Sequence, residues 1–532
     1  MGALRGHPSL FNATTYFIDR HVDEGRADSL AIECGDRRLT YRDLHEQVNR
    51  VGTALRSQLG VRPEERIVLL MLDGPEMIAA FFGAIKIGAV PVPLNTRWTA
   101  AEYEYAIRDS SARVVMLTST LAGEASKAIA ACQSVRHVVV VGDEIDEERA
   151  IRFEALAATG SPELEAAPTS SDAPAFWLYS SGTTGRPKGC VHLQHDMGVC
   201  ADGYARGVLG IGEHDRCFSV AKLFFAYGLG NSMYFPLAVG ATSILWPGPV
   251  TPPVVYDIIE RCRPTLFFSV PTHYAMMLAH PPSARDFDLS SIRQAVSAGE
   301  ALPPALFHRF RDRFGVEILD GIGSTEILHI FISNQPGRVR PGSSGVPVPG
   351  YEARLVDENG RQVPRGELGD LVVKGDSTCA LYWNQHEQTK DTIAGHWIRT
   401  GDKYQQDEAG FFWFAGRSDD MLKVGGIWVS PAEVEHLLLE HPAVEGCAVT
   451  GREDHDGLVK PVAHVVLRSG AVPGSDLDHE LRQFARQRLA DYKRPRWIEF
   501  VDALPVTATG KIQRFRLRNS SSVASGFSRK YV

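Results

Sequence analysis

The chain has 532 residues, of which 44% are hydrophobic and 23% charged, the balance of an ordinary globular protein of roughly three to four domains. Its formal net charge of −8 gives no electrostatic case for a nucleic acid or an anionic membrane as partner. The opening Met-Gly-Ala-Leu-Arg-Gly-His-Pro lacks the long apolar core of a secretory signal, and no run approaches ~18 apolar residues, so no membrane-spanning helix is expected. Gly6 stands where a myristoylation signal has Ser or Thr. Eight cysteines (34, 132, 190, 200, 217, 262, 379 and 447) are scattered without a C-x-x-C pair. They are expected as reduced thiols of a cytoplasmic chain, with neither zinc nor disulfides.

In the first 170 residues, Leu39-Thr-Tyr-Arg-Asp-Leu44 opens a helix with Thr40 as N-cap and Asp43 in the first turn; Val48, Val51 and Leu55 continue it at helical spacing. A strand is expected at 66–71, a helix at 75–87 ended by Gly88, an extended segment at 89–94, and further strands at 113–117 and 136–141. Strands separated by helices of this length imply parallel, doubly wound α/β layers. Residues 160–174 are a surface loop. No chemistry is visible in this part.

Ala175-Phe-Trp-Leu-Tyr179 is a buried strand that runs into Ser180-Ser-Gly-Thr-Thr-Gly-Arg-Pro-Lys-Gly189. Glycines let backbone N–H groups approach an anion, hydroxyls add donors and Lys188 adds a cation, so the loop suits phosphate oxygens. It is not the G-x-x-x-x-G-K-[ST] loop, because Gly189 and Cys190 follow Lys188. The ten residues resemble the phosphate-loop motif of the adenylate-forming enzymes: acyl- and aryl-CoA synthetases, carrier-protein adenylation domains and luciferases. That resemblance implies ATP contacts at Ser180, Ser181, Gly182, Thr183, Thr184, Gly185 and Lys188. Thr-Tyr-Arg-Asp-Leu and Lys86-Ile-Gly-Ala-Val-Pro are similar to early structural motifs of the same family.

Six later stretches resemble the family's remaining motifs. Ala221-Lys-Leu-Phe-Phe-Ala-Tyr-Gly-Leu-Gly-Asn231 combines flat rings with glycine and is most similar to aryl-CoA ligases of the benzoate-CoA ligase type. Val296-Ser-Ala-Gly-Glu-Ala-Leu-Pro303 is a strand end, a glycine turn and a helix start, the geometry of a binding edge; the resemblance implies adenine contacts at Ser297, Ala298 and Gly299. Asp320-Gly-Ile-Gly-Ser-Thr-Glu326 resembles the Tyr-Gly-x-Thr-Glu motif, which implies a nucleotide contact at Asp320, Thr325 at the α-phosphate and Glu326 on Mg²⁺, with Ile322 where most relatives carry tyrosine. The same resemblance places Ala226, Tyr227, Phe235, Gly323, His329 and Ile330 around the substrate acid. No lysine or arginine is evident there to pair a second carboxylate, so the pocket suits a benzene ring.

Towards the end, Trp397-Ile-Arg-Thr-Gly-Asp402 and Gly416-Arg-Ser-Asp-Asp-Met-Leu-Lys423 imply, by resemblance, ribose contacts at Asp402 and Arg417 and a hinge at Asp419. Val424-Gly-Gly-Ile-Trp-Val-Ser-Pro431 leads into a helix from Pro431 to Leu439 with Ser430 as cap; by resemblance, the strand of Gly425 and Gly426 takes the family's place beside the coenzyme A tunnel. Strands at 448–450 and 461–467 and a helix at 476–489 follow. Leu504-Pro-Val-Thr-Ala-Thr-Gly-Lys-Ile-Gln-Arg514 resembles the final motif, with Lys511 as the catalytic lysine. The Ser-rich residues 519–532 are expected to be a disordered tail.

The resemblance spans residues 10–518. It implies an α/β chain with a large N-terminal adenylation domain (1–416) of layered subdomains, a hinge (417–420) and a small mobile α+β domain (421–518). The activity implied is ATP-dependent conversion of benzoate or a substituted benzoate to an acyl adenylate, then to aryl-CoA, with Mg²⁺ and coenzyme A. An enzyme that loads an aryl acid onto a carrier-protein phosphopantetheine uses the same motifs and stays open as the alternative. A homodimer is a habit of the family.

Overall fold

The computed structural model describes residues 10–143, 145–180, 186–281, 287–418, 420–424, 427–455, 458–506, 512–514 and 516–518. The expectations placed on Ser181, Gly182, Thr183, Thr184, Gly185, Asp419, Gly425, Gly426 and Lys511, and on the tail at 519–532, lie outside the described residues.

Short, uninterrupted apolar runs build a five-stranded parallel sheet in the order Val90–Pro93, Arg66–Leu70, Val114–Thr118, His137–Val141, Ala150–Arg152. Such runs suit strands covered on both faces, and here helices Pro75–Lys86, Ala100–Ser110 and Ala122–Ala130 form the crossovers. Helix Tyr41–Ser57 starts as its sequence predicts: Thr40 and Asp43 make a reciprocal capping box. Helix Pro75–Lys86 ends one residue short of the expected limit, and Gly88 follows it at φ 79°, in the left-handed region. The lysine of the early motif is an internal strut. Lys86, 1% exposed, donates from Nζ to Asp19 Oδ1 at 2.7 Å and Asn49 Oδ1 at 2.6 Å.

A nine-stranded sheet carries the site. Its order is Val346–Pro347, Ile330–Ser333, Ile318–Gly323, Gln294–Ser297, Leu266–Ser269, Arg216–Ser219, Thr242–Leu245, Leu30–Cys34, Arg37–Thr40. The six strands from Ile318–Gly323 to Leu30–Cys34 are parallel, and the outer ones antiparallel. The carboxyl ends of the parallel strands therefore share one edge, where the segments after Ser219, Ser297 and Gly323 emerge together.

Strand Pro174–Ser180 does not join that sheet. It pairs antiparallel with Lys188–Leu193, and Leu381–Tyr382 adds to the far side of Lys188–Leu193. A further antiparallel sheet contains Glu352–Val356, Leu368–Lys374, Trp397–Gln406, Ile393–Ala394 and Phe412–Arg417.

Towards the C-terminus, strands Val444–Glu453, Val459–Leu467 and Trp497–Phe500 form a three-stranded sheet with helices Pro431–Leu439 and Ser475–Arg486 around a separate cluster of Val429, Val434, Leu438, Val449, Val465 and Leu481. Two short strands, Leu422–Val424 and Ile427–Val429, pair antiparallel before the first of these helices. Ser430 Oγ accepts from Glu433 N at 3.2 Å and Pro431 takes the first helical turn, as the capping pattern predicts. Among the described residues no helix is long and apolar enough to cross a membrane.

Candidate active site

Strand Ile318–Gly323 delivers the turn that carries Thr325 and Glu326. The turn is strained: Leu328, fully buried, sits at φ 72°, where a branched side chain costs on the order of 1–2 kcal/mol. Neighbouring elements hold it. Thr325 O accepts from His192 Nε2 at 2.9 Å and from Leu328 N at 3.1 Å, Glu326 O from Cys379 N at 2.7 Å, and Ile327 O from Ser377 Oγ at 2.8 Å. His192 is itself oriented by Asp196, whose Oδ2 lies 2.8 Å from Nδ1, with both side chains fully buried.

The Glu326 carboxylate gathers the rest. Its Oε1 accepts from Ser180 Oγ at 3.1 Å and from the Tyr382 hydroxyl at 2.9 Å. Lys188 Nζ stands 5.0 Å from the centroid of the Tyr382 ring. Ser180 and Lys188, named from the loop motif, therefore meet Glu326, named from a later one, beside the two ends of the phosphate loop. Among the described residues no group of three His, Cys, Asp or Glu is placed to hold a metal ion. A cation on Glu326 would take its remaining ligands from water and substrate, as a hard ion that keeps its hydration does.

On the adjoining strand ends, Ser297 lies in register with Asp320, and Gly299 turns at φ 92°. Ser297 and Ala298 are buried, so a flat ligand would meet the turn's backbone. Asp320 Oδ2 accepts from Leu302 N at 3.4 Å, and burial holds this carboxyl well above the usual range. Asp402 and Arg417 face each other across paired strands, with Arg417 Nη1 3.0 Å from Asp402 Oδ1.

The expected acid pocket is a nest of rings. His329 has the Phe235 ring at 4.4 Å and the Tyr227 ring at 5.5 Å, and Gly323 pairs with Ile330 alongside. Ala226 and Tyr227 open the short helix Ala226–Leu229. His329 is 3% exposed, and burial pushes its imidazole down to about 3, so it is neutral. Its Nε2 lies 3.1 Å from Asn231 Oδ1 and 3.3 Å from Tyr227 O, both acceptors, which places the proton on Nε2. The Tyr227 hydroxyl donates to Ser269 O at 3.2 Å and Val296 O at 3.3 Å, so Tyr227 offers its ring as a wall.

Lys222 is turned away to Trp246 O at 2.6 Å and Gly248 O at 2.9 Å, with Asp73 Oδ2 at 4.0 Å. Asp73 Oδ1 accepts from Leu223 N at 3.1 Å and so ties the aromatic segment to the first parallel sheet. Burial pushes Asp73 up to about 6. A carboxyl raised on folding stabilises most below its unfolded value, and that contribution is lost as pH rises through 6. Against Asp73→Asn, the wild type is expected to lose about 1 kcal/mol between pH 5 and 7.5, measured from denaturant midpoints. A difference constant over that range would remove Asp73 as the titrating group.

His192 and Tyr382 were not legible as site residues in the sequence. The His192/Asp196 pair has a signal, the i, i+4 spacing directly after the loop; Tyr382 has none beyond a buried aromatic.

The signature of the AMP-binding enzymes matches residues 18–383, and that of the AMP-binding enzyme C-terminal domain matches residues 433–511. The chain belongs to the AMP-binding enzyme family. It is 48% identical to a benzoate–CoA ligase of Thauera aromatica over 514 residues, covering 96% of this chain and 97% of that one. A 4-hydroxybenzoate–CoA/benzoate–CoA ligase of Rhodopseudomonas palustris is 44% identical, over 96% of this chain and 94% of its own. Among solved structures, an anthranilate CoA ligase in complex with anthranoyl-AMP superposes with TM-score 0.93 at 44% identity, covering 98% and 99% of the two chains. A benzoate CoA ligase from Burkholderia xenovorans does so with TM-score 0.88 at 47% identity, covering 96% and 100%.

Proposed function

We propose that the protein is an AMP-forming aryl-CoA ligase that activates benzoate or a substituted benzoate and transfers it to coenzyme A. A carboxylate is a poor acyl donor. Its attack on the α-phosphate of ATP yields an aryl adenylate and pyrophosphate; the coenzyme A thiol then displaces AMP. The observation that supports an aryl acid and coenzyme A over a carrier-protein acceptor is the likeness, over nearly the whole chain, to ligases named for benzoate. The ring-walled neighbourhood of His329 fits the same acid.

In this reading Ser180, the loop 181–185 and Lys188 hold the phosphates, and Ser297, Ala298, Gly299 and Asp320 flank the base. Asp402 and Arg417 hold the ribose, and Thr325 orients the α-phosphate. Mg²⁺ would neutralise phosphate charge from a place on Glu326. Lys511 supports charge in the first step, and rotation at Asp419, between domains 1–416 and 421–518, exchanges it for Gly425 and Gly426 in the second. A cytoplasmic homodimer belongs to the same proposal.

The test is AMP formation by purified protein with ATP and Mg²⁺ over benzoate, hydroxy- and aminobenzoates, a cinnamate and medium-chain fatty acids, with and without coenzyme A. Turnover with a benzoate that depends on coenzyme A is the expected result. Pyrophosphate release without thioester would move the acceptor to a carrier protein, and preference for fatty acids would overturn the aryl reading.

A further inference from the structure

We propose that Tyr382 is the positioning residue for Glu326: its hydroxyl fixes the carboxylate by Oε1 so that Oε2 is presented to the metal–nucleotide. This rests on the aryl-CoA ligase reading only in its use of ATP and a divalent cation.

The backbone around Tyr382 is set by the fold. Trp383 N donates to Gly189 O at 2.8 Å and Ala380 N to Val191 O at 2.9 Å, which locks Leu381–Tyr382 to the strand leaving the phosphate loop. Tyr382 N donates to Thr389 Oγ1 at 3.1 Å. The Trp383 ring is anchored in turn by its Nε1–H on Asp109 O at 3.0 Å and by the Trp177 ring at 4.6 Å. The Tyr382 ring is 3% exposed, so its hydroxyl arrives at Glu326 from one direction. Burial and the neighbouring carboxylate keep the phenol protonated, a donor across the physiological range.

Ser180 reaches the same oxygen, and among the described residues no donor reaches Oε2. A carboxylate gripped by one oxygen keeps its orientation while the other binds a cation, the role that outer partners of metal ligands commonly have. The ring face also takes the Lys188 ammonium at 5.0 Å, so one side chain spaces the loop cation from the metal-side carboxylate.

The test is Tyr382→Phe, which keeps the ring, the strand pairing and the face towards Lys188. The half-saturating Mg²⁺ concentration for AMP formation is expected to rise about 10-fold and kcat to fall about 10-fold, with the KM for the aryl acid within about twofold. Independently of turnover, Mn²⁺ binding in the presence of ATP, followed by electron paramagnetic resonance, is expected to weaken about 10-fold. In a Glu326→Gln background the same substitution is expected to add less than about twofold, because the group it positions is already gone.

Unchanged Mg²⁺ and Mn²⁺ dependence, or an equal loss in both backgrounds, would overturn the proposal. If the wild type forms no AMP from any benzoate, the ligase reading falls, while the Mn²⁺–ATP arm still decides on Tyr382.

Discussion

Glu326→Gln is expected to lower AMP formation by about 100-fold or more at saturating ATP, the scale on which loss of one charge-stabilising group acts in a preorganised site. The amide keeps a carbonyl oxygen for the Tyr382 hydroxyl and Ser180 Oγ, so the donors at 2.9 Å and 3.1 Å retain an acceptor. The turn is held independently through the carbonyls of residues 325–327, and these contacts do not depend on the Glu326 side chain. The substitution therefore removes charge and little else. Transfer of a preformed aryl adenylate to coenzyme A needs no pyrophosphate departure and is expected to fall less than about 10-fold. A loss of adenylation below about fivefold would take Glu326 out of the first step.

Asp19→Ala is expected to destabilise the N-terminal part of the chain by about 3 kcal/mol, read from the shift of the denaturant midpoint. Lys86 brings its ammonium to a place where Asp19 and Asn49 are its hydrogen-bonding partners. Removing the carboxylate leaves a cation facing a neutral amide oxygen. The figure is at the low end of the range for breaking a buried pair, because the Asp19 side chain keeps 19% exposure and water can enter. Lys86→Met, which removes the charge and keeps the volume, is expected to cost less than Asp19→Ala. The reverse order would mean that the lysine acts through packing rather than as half of a pair.

What was legible in the sequence follows from locality. The parallel strands appear as unbroken apolar runs, Thr40 and Asp43 announce a helix start, and the ten-residue loop carries its chemistry in consecutive residues. His192 and Tyr382 differ because their meaning lies in distant partners. His192 holds a carbonyl 133 residues away, and Tyr382 holds a carboxylate 56 residues away. Composition near either residue is that of a packed interior. The resemblance places Tyr227 around the substrate acid without saying whether its hydroxyl or its ring faces that acid. Only the position of two backbone carbonyls shows where the hydroxyl is engaged.

The order in which the strands lie has a bearing on synthesis. Leu30–Cys34 runs beside Thr242–Leu245, with Ile32 opposite Ser243. A nascent chain growing at 5–20 residues per second makes the first of these strands about 10–40 s before its neighbour exists. The parallel sheet of residues 66–152, whose partners are close in sequence, has no such wait. The grip on Glu326 Oε1 is completed later still, when Tyr382 has left the ribosome and laid its short strand along Lys188–Leu193. Chains interrupted between Glu326 and Tyr382 would carry Ser180 and the carboxylate without the second donor to Oε1.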